Sequence, residues 1–289
     1  MNDVWNLSDN RKFAPEDLRA IMDRLLGPDG CPWDKVQTHR SIRKNLIEEA
    51  YETVDAIDIG DPDRVKDELG DVLLQVYFHS AMAEREGTFS LDDVADNICR
   101  KLISRHSHVF GTDSADSPEA VLSVWEKNKM AEKNQNNFSQ TLADVPTGLP
   151  ALMRSEKLQK RAAKAGFDWP DALGAREKID EELSEIECEL IRDGSLSYSK
   201  VDAGDEPERY DRLESETGDL LFAVVNYARL LGVDPEIALN RANERFLRRF
   251  SKMEAAAEKR GVRLDTLALA EMDHLWDEVK KKGDVDEDR

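Results

Sequence analysis

The sequence is poor in the residues that most metal and redox sites use. Its 3 cysteines, Cys31, Cys99 and Cys188, are widely spaced along 289 residues. That excludes a disulfide framework, and no Cys-x-x-Cys pair offers zinc a seat. Histidine is scarce too, at 5, and lone residues such as His39, His79 and His274 are expected at surface or packing positions. No His-Glu-x-x-His, P-loop, dinucleotide fingerprint or Gly-x-Ser-x-Gly is present, so those catalytic classes drop out. Only Glu271-Met272-Asp273-His274 has the Glu-x-x-His spacing, and a di-iron carboxylate bundle needs it on two helices. The longest apolar run, Leu220 to Val225, is far too short to cross a bilayer. Met1 to Trp5 lacks a basic region and an apolar core, so no secretory signal is expected, and a cytoplasmic location is.

Positive charge is the other shortage. Lysine and arginine number 41 against 61 acidic residues, a formal charge of -20. Nucleic acid is therefore not an expected partner, because neutralising cations supply most affinity for a phosphate backbone. No membrane partner is expected either. A small polyanion could still bind, given a metal ion or a local basic cluster.

What the chain does contain is charge and apolar residues in helical register. Charged residues make up 35% and hydrophobic residues 40%, with only 10 prolines and 15 glycines. That mixture suits long amphipathic helices. Helices are predicted over Pro15 to Leu26, Ile42 to Ile59, Asp63 to Glu86, Leu91 to His106 and Ser117 to about Lys133. In the third, Val65, Leu69, Val72, Leu73, Val76 and Tyr77 read as the core side. Residues 134 to 150, with Asn-Gln-Asn-Asn and then Pro146, Gly148 and Pro150, read as a linker. Helices resume from Ala151, then over Ala172 to Ile191, Arg209 to Leu231, Asp234 to Lys259 and Leu267 to Lys281. Asp193 to Pro207 reads as a polar loop, and Gly283 to Arg289 as a frayed tail. No stretch sustains strand alternation. The expected class is all-α, with modules over 1–133 and 151–289.

The two halves repeat each other. Glu48-Glu49-x-x-Glu52 aligns with Glu181-Glu182-x-x-Glu185 at an offset of 133 residues. Glu68-x-Gly-Asp71 aligns with Glu216-x-Gly-Asp219 at an offset of 148. The difference is a 15-residue insertion in the second copy, within the polar loop. Lys101-x-x-x-Arg105 meets Arg245-x-x-x-Arg249, and Trp125-x-x-x-Lys129 meets Trp276-x-x-x-Lys280. Pairs in one shared order point to duplication of a helical unit.

The acidic groups carry the chemistry. At about 100° per residue, the first and last glutamates of each Glu-Glu-x-x-Glu lie about 40° apart on one stripe. Glu68 and Asp71 are also neighbours, as are Glu216 and Asp219. Apolar residues beside them tie both helices into a core, which puts the acids near a helix–helix seam. Crowded carboxylates repel unless a cation neutralises them. Oxygen donors without His or Cys favour Mg²⁺, with Mn²⁺ possible, over zinc. The competing reading is a solvated acidic face with i,i+4 ion pairs. Arg245, Arg249 and Lys280 suit phosphate oxygens, and Trp276 offers a face for a base or for core packing.

These residues resemble a known family. The pattern Glu-Glu-x-x-Glu, a spacer, then Glu-x-x-Asp is similar to that of the all-α nucleoside triphosphate pyrophosphohydrolases. Gly30-Cys31-Pro32-Trp33-Asp34, Leu46 to Glu52, Arg105 to Gly111, Gly166-Phe167-Asp168-Trp169 and Leu275 to Lys280 resemble segments of its MazG branch. The resemblance implies two tandem MazG-like modules and a homodimer. It implies Mg²⁺-dependent hydrolysis of nucleoside triphosphates to monophosphate and pyrophosphate. It makes Glu182, Glu185, Glu216 and Asp219 metal ligands and has Glu181 position water. Arg245, Arg249 and Lys280 would hold phosphates, with Trp276 facing the nucleotide. Glu49, Glu52, Glu68 and Asp71, with Lys101, Arg105, Trp125 and Lys129, form a second candidate set in the first copy. The family assigns activity to the C-terminal module. Two departures stand out: Arg245 replaces a more usual lysine, and the insertion separates the second copy's acidic groups. The alternatives are a nucleotide-binding regulator without turnover and a dimeric helical scaffold.

Overall fold

Short polar residues write the helix starts, and glycines write several of the stops. A computed structural model describes residues 11–132, 137–192 and 194–286. The chain divides into two compact units, Met1–Glu132 and Lys133–Arg289. The first contains α1 (Pro15–Leu26), α2 (Arg43–Ile59), α3 (Pro62–Glu86), α4 (Leu91–Arg105), α5 (Ser107–Phe110) and α6 (Pro118–Glu132). Gly60 ends α2 in the left-handed region, at φ 76°, where a side chain would be strained. Asp61 then accepts the Asp63 N–H at 3.0 Å, and Pro62 opens α3. Because only Gly60 and Asp61 separate them, α2 and α3 fold as a tight hairpin. Ser90 and Asp93 form a reciprocal cap on α4, at 3.2 and 2.8 Å.

A small apolar core holds α1 against α3. Met22, Leu26, Ile42, Phe78 and Met82 are buried, with Leu25, Leu74, Tyr77 and Ala81 around them. His39 and His79 pack as a stacked pair with their Nδ1 atoms 2.7 Å apart. Of the α3 face expected as core, Tyr77 packs against this cluster and Val65 and Val72 are half-buried, but the rest behaves otherwise. Leu69 is 51% exposed, and Leu73 and Val76 are exposed as well. Leu46, Ile47, Val54 and Ile57 on α2 are also open to solvent. The helical period was read correctly, but α1 packs on the side of α3 that carries Leu74, Phe78 and Met82, and the α2/α3 stripe has no cover among the described residues of its own unit.

The second unit contains α7 (Phe138–Ala143), α8 (Ala151–Lys164), α9 (Ala172–Glu189), α10 (Pro207–Leu230), α11 (Pro235–Lys259) and α12 (Leu269–Asp286). Asp171 caps α9 through the Leu173 N–H at 2.8 Å, and Asp234 caps α11 through the Ile237 N–H at 3.0 Å. Met253, Ala257, Leu275 and Val279 bury the α11–α12 seam. Gln159 of α8 donates to the Phe222 carbonyl of α10 at 2.8 Å. Arg229 of α10 forks onto Asp168 and so fixes the Gly166-to-Trp169 turn. Gly174 must stay small there, since a Cβ would meet the Trp169 ring at 2.5 Å.

The all-α class holds, with local differences. The expected linker carries α7, which packs on α8. Buried Arg161 donates to the Thr141 carbonyl and pairs with Asp144 at 3.8 Å. Those bonds give a short helix a tertiary reason to form that local pattern could not reveal. Residues 134–136 of that stretch, and Met1 to Trp5, lie outside the described residues. The helix expected to reach Ile191 ends at Glu189, and a two-strand antiparallel hairpin, β1 (Ile191–Arg192) and β2 (Ser195–Leu196), leads into the expected polar loop. Gly194 supplies its turn at φ 76°. The expected frayed tail is helical through Asp286, and residues 287–289 lie outside the described residues.

Candidate active site

Each unit brings three carboxylates together across one helix pair. In the second unit, Glu182 and Glu185 of α9 meet Glu216 of α10, with one oxygen of each within 4.8 Å of the others. In the first, Glu49 of α2 meets Glu68 and Asp71 of α3 at the same closeness. The i,i+3 spacing puts two acids of a pair on one edge, and the seam brings the facing helix's acid to them. Asp219 lies one turn from Glu216 on α10, exposed, and Glu52 lies one turn from Glu49 on α2. Neither belongs to the three-oxygen groups, although the Glu52 charge acts on both Glu49 and Glu68.

The two clusters differ in how their charge is balanced. Glu182 is only 3% exposed. One of its oxygens accepts from Lys178 Nζ at 2.7 Å. The other is buried and has no hydrogen-bond partner. Lys178 also reaches Glu181 at 3.1 Å. Its two glutamate partners hold the ammonium well above the usual lysine pKa. Glu185 is pushed up, first by a side-chain hydrogen bond to Glu182 and then by burial and the Glu182 and Glu216 charges. In the first unit, Asn45 stands where the repeat offset places Lys178. Burial, followed by the charges of Asp71, Glu52, Glu68 and Glu48, pushes Glu49 up. Glu68 is raised by burial and then by Glu52. Lys44 pairs instead with the outer Glu48, at 2.7 Å.

These residues fit a hard divalent cation. All the donors are carboxylate oxygens, and Glu182 Oε2 is a buried acceptor with nothing to accept from. Histidine and cysteine take no part in either cluster. Lys178 is the functional candidate that the motif comparison passed over. Its signal was present as a lysine three and four residues before two glutamates on one helix.

The basic residues lie on the other helices of each unit. Arg245 and Arg249 are on α11, Arg245 exposed and Arg249 half-buried, while Trp276 and Lys280 are on α12. Trp276 packs against Phe246, ring centroids 5.3 Å apart, so this ring belongs partly to the α11–α12 seam. In the first unit, Lys101 and Arg105 are on α4, with Trp125 and Lys129 on α6. There Arg105 lies over the Trp125 ring at 5.3 Å and Lys129 lies 5.0 Å from it. The 15-residue insertion sits at the far end of the α9–α10 hairpin. Arg209 and Arg212 hold it by bonding the backbone and side chain of Glu189, at 2.7 and 2.8 Å. It therefore lengthens the connection while α9 and α10 still pack and bring their acids together.

Among known proteins, a family model described as the MazG nucleotide pyrophosphohydrolase domain matches residues 37–110, the segment holding the first acidic cluster. A nucleoside triphosphate pyrophosphohydrolase/pyrophosphatase MazG of Thermotoga maritima is 43% identical over 92% of this chain and 95% of its own length. A nucleoside triphosphate pyrophosphohydrolase of Escherichia coli K12 is 43% identical over 92% of this chain and 96% of its own. One of the same description from Mycobacterium tuberculosis is 43% identical over 52% of this chain and 45% of its own. With relatives at that identity aligned along nearly the whole of both chains, this chain belongs to the MazG family of nucleoside triphosphate pyrophosphohydrolases.

Proposed function

We propose that the chain hydrolyses nucleoside triphosphates to nucleoside monophosphate and pyrophosphate, using Mg²⁺. The observation that carries this reading is the buried, half-satisfied Glu182 carboxylate among Glu185 and Glu216. A buried acceptor without a donor is costly unless a ligand completes it. Glu182, Glu185, Glu216 and Asp219 would hold the metal. When bound, Mg²⁺ neutralises triphosphate oxygens and stabilises pyrophosphate as it leaves. Glu181 orients the attacking water, and its ion pair with Lys178 holds it at the cluster's edge. Arg245, Arg249 and Lys280 bind phosphate oxygens, and the exposed part of Trp276 faces the nucleotide. We assign the main activity to the second unit, with Glu49, Glu52, Glu68 and Asp71 as the duplicate site. Each unit is one MazG-like module.

We also propose that the protein is a homodimer. Leu69 and Leu73 on the α2/α3 hairpin, with Leu221 and Val224 on α10, are exposed apolar residues beside acidic clusters. A soluble monomer rarely leaves such contiguous stripes open. A second copy would cover them and close the sites from the outside.

The test is pyrophosphate release across a triphosphate panel with Mg²⁺. Glu185→Ala or Asp219→Ala should abolish turnover, while Glu52→Ala should leave most of it. Full turnover in Glu185→Ala, together with loss in Glu52→Ala, would reverse the assignment of the units. No monophosphate above blank in the unaltered protein would leave a nucleotide-binding regulator instead.

A further inference from the structure

The first unit keeps its basic and aromatic residues folded in on themselves. Arg105 donates from Nε and Nη2 to the two oxygens of Glu132, at 2.9 and 3.2 Å. That parallel fork is the same one a guanidinium presents to a phosphate. Arg105 is left with only 14% side-chain exposure. The contact is made between braced helices. Asn128 of α6 donates to Ser107 Oγ at 2.8 Å and to the Ser104 carbonyl at 3.3 Å, which docks α6 along α4 and α5. An open groove of about 430 Å³ beside them is lined by Asp93, Asp96, Arg100, Lys101 and Glu132, among others, but not by Arg105. An anion entering the groove would thus meet the Glu132 carboxylate before the Arg105 guanidinium.

The second unit has no carboxylate at the matching position. At the offset that aligns Trp125 with Trp276 and Lys129 with Lys280, Glu132 falls on Gly283. Glycine has no side chain with which to engage Arg249, the counterpart of Arg105.

We infer that Glu132 is a built-in latch that occupies the phosphate-binding fork of Arg105 and keeps the first unit from taking a triphosphate. The inference rests on the proposal that the repeated Arg and Lys residues hold phosphates. A triphosphate must displace the carboxylate, and it must do so against the repulsion between two anions in one groove. The duplicated site is therefore held shut by its own helix α6 while its acids remain in place.

The test uses the full-length chain with Glu185→Ala and Asp219→Ala, which silence the second unit. Binding of an α,β-methylene triphosphate analogue with Mg²⁺ is followed by calorimetry. Glu132→Gln and Glu132→Ala should each tighten binding by about tenfold or more, the size expected when a charged hydrogen-bond partner is freed. Adding Arg105→Ala should return affinity to that of the silenced background. The latch is overturned by an unchanged affinity, by a gain that survives Arg105→Ala, or by a background that already binds as tightly as the Glu132 variants. Glu132→Asp, too short to span the fork, gives the same reading if the larger changes reduce the helical signal. The unaltered protein separates the two ideas. If it binds the analogue and the Glu132 variants show no gain, the latch alone fails. If it binds nothing, the phosphate reading fails and takes the latch with it.

Discussion

Removing Lys178 should make the second unit depend on its metal for stability. Lys178 Nζ lies 2.7 Å from an oxygen of Glu182, and Glu182 is 3% exposed. Removing one partner of a fully buried ion pair costs on the order of 3–5 kcal/mol. The Lys178 side chain is 41% exposed, so solvent screening reduces that to about 1–2 kcal/mol. For a unit of this size the cost corresponds to a fall of roughly 2–8 °C in thermal midpoint. Lys178→Met keeps the aliphatic stem and removes only the charge. In EDTA the variant should show the full loss. With millimolar Mg²⁺ the cation takes over neutralisation of Glu182, so the variant should regain most of the loss and gain more from Mg²⁺ than the unaltered protein does. The assay is differential scanning fluorimetry of both proteins across a Mg²⁺ titration. An equal deficit at every Mg²⁺ concentration would refute the reasoning, because Lys178 and the metal would then not be balancing the same carboxylate.

Glu185→Gln should abolish turnover yet stabilise the metal-free protein. A carboxyl whose folded pKa is raised holds its proton more tightly folded than unfolded, so ionising it costs stability. That cost is absent below the ordinary carboxylate range and complete above the raised pKa. The variant's advantage in EDTA should therefore be largest near neutral pH and vanish in acid, as read by urea midpoints across pH. Metal binding should respond in the opposite sense and weaken as pH falls through that raised pKa, which Mg²⁺ calorimetry would follow. Gly174→Ala should cost about 1–3 kcal/mol by overpacking, since its Cβ would meet the Trp169 ring. Combined with Trp169→Leu, most of that penalty should disappear in a double-mutant cycle on thermal midpoints. Leu73→Glu with Leu221→Glu should reduce the mass measured by light scattering to that of one chain if the exposed stripes join two copies, while a mass that does not change would reject that interface.

The clustering of the acids was legible because its pattern is local. Glu182 and Glu185 share an edge through i,i+3 spacing alone, and the facing helix needs only to pack for Glu216 to arrive. The helix limits were legible for the same reason, since Asp61-Pro62 and Asp234-Pro235 set them within a few residues. What resisted was what depends on a distant partner. The helix Phe138–Ala143 lies in a polar, proline-flanked stretch, and it is held by Arg161, about 20 residues away along the chain. Leu69 and Leu73 carry core periodicity but remain exposed, because a period states which residues want cover and not which element supplies it. The raised pKa of Glu185 was hidden as well, because beyond its hydrogen bond to Glu182 it comes from burial, which spacing does not report.

The repeat also explains how two copies of one site can drift apart without losing their acids. Keeping Glu49, Glu68 and Asp71 together costs the fold stability through repulsion and burial, since two of their pKa values are raised. The second copy relieves part of the same strain with Lys178, and the first has Asn45 at that place. A carboxylate cluster with no resident cation gains more from an incoming one, so metal would count for more in the structure of the first unit than in that of the second. On the basic side the asymmetry runs the other way. Arg105 is satisfied by Glu132, whereas the second copy has Gly283 at the matching position. One unit therefore leaves its acids needing a cation and its arginine already paired, and the other balances its acids and has no matching carboxylate for its arginine. A triphosphate with its metal needs both surfaces at once, and on the reading proposed above it would meet a competing carboxylate, Glu132, in the first unit and none at the matching position, Gly283, in the second.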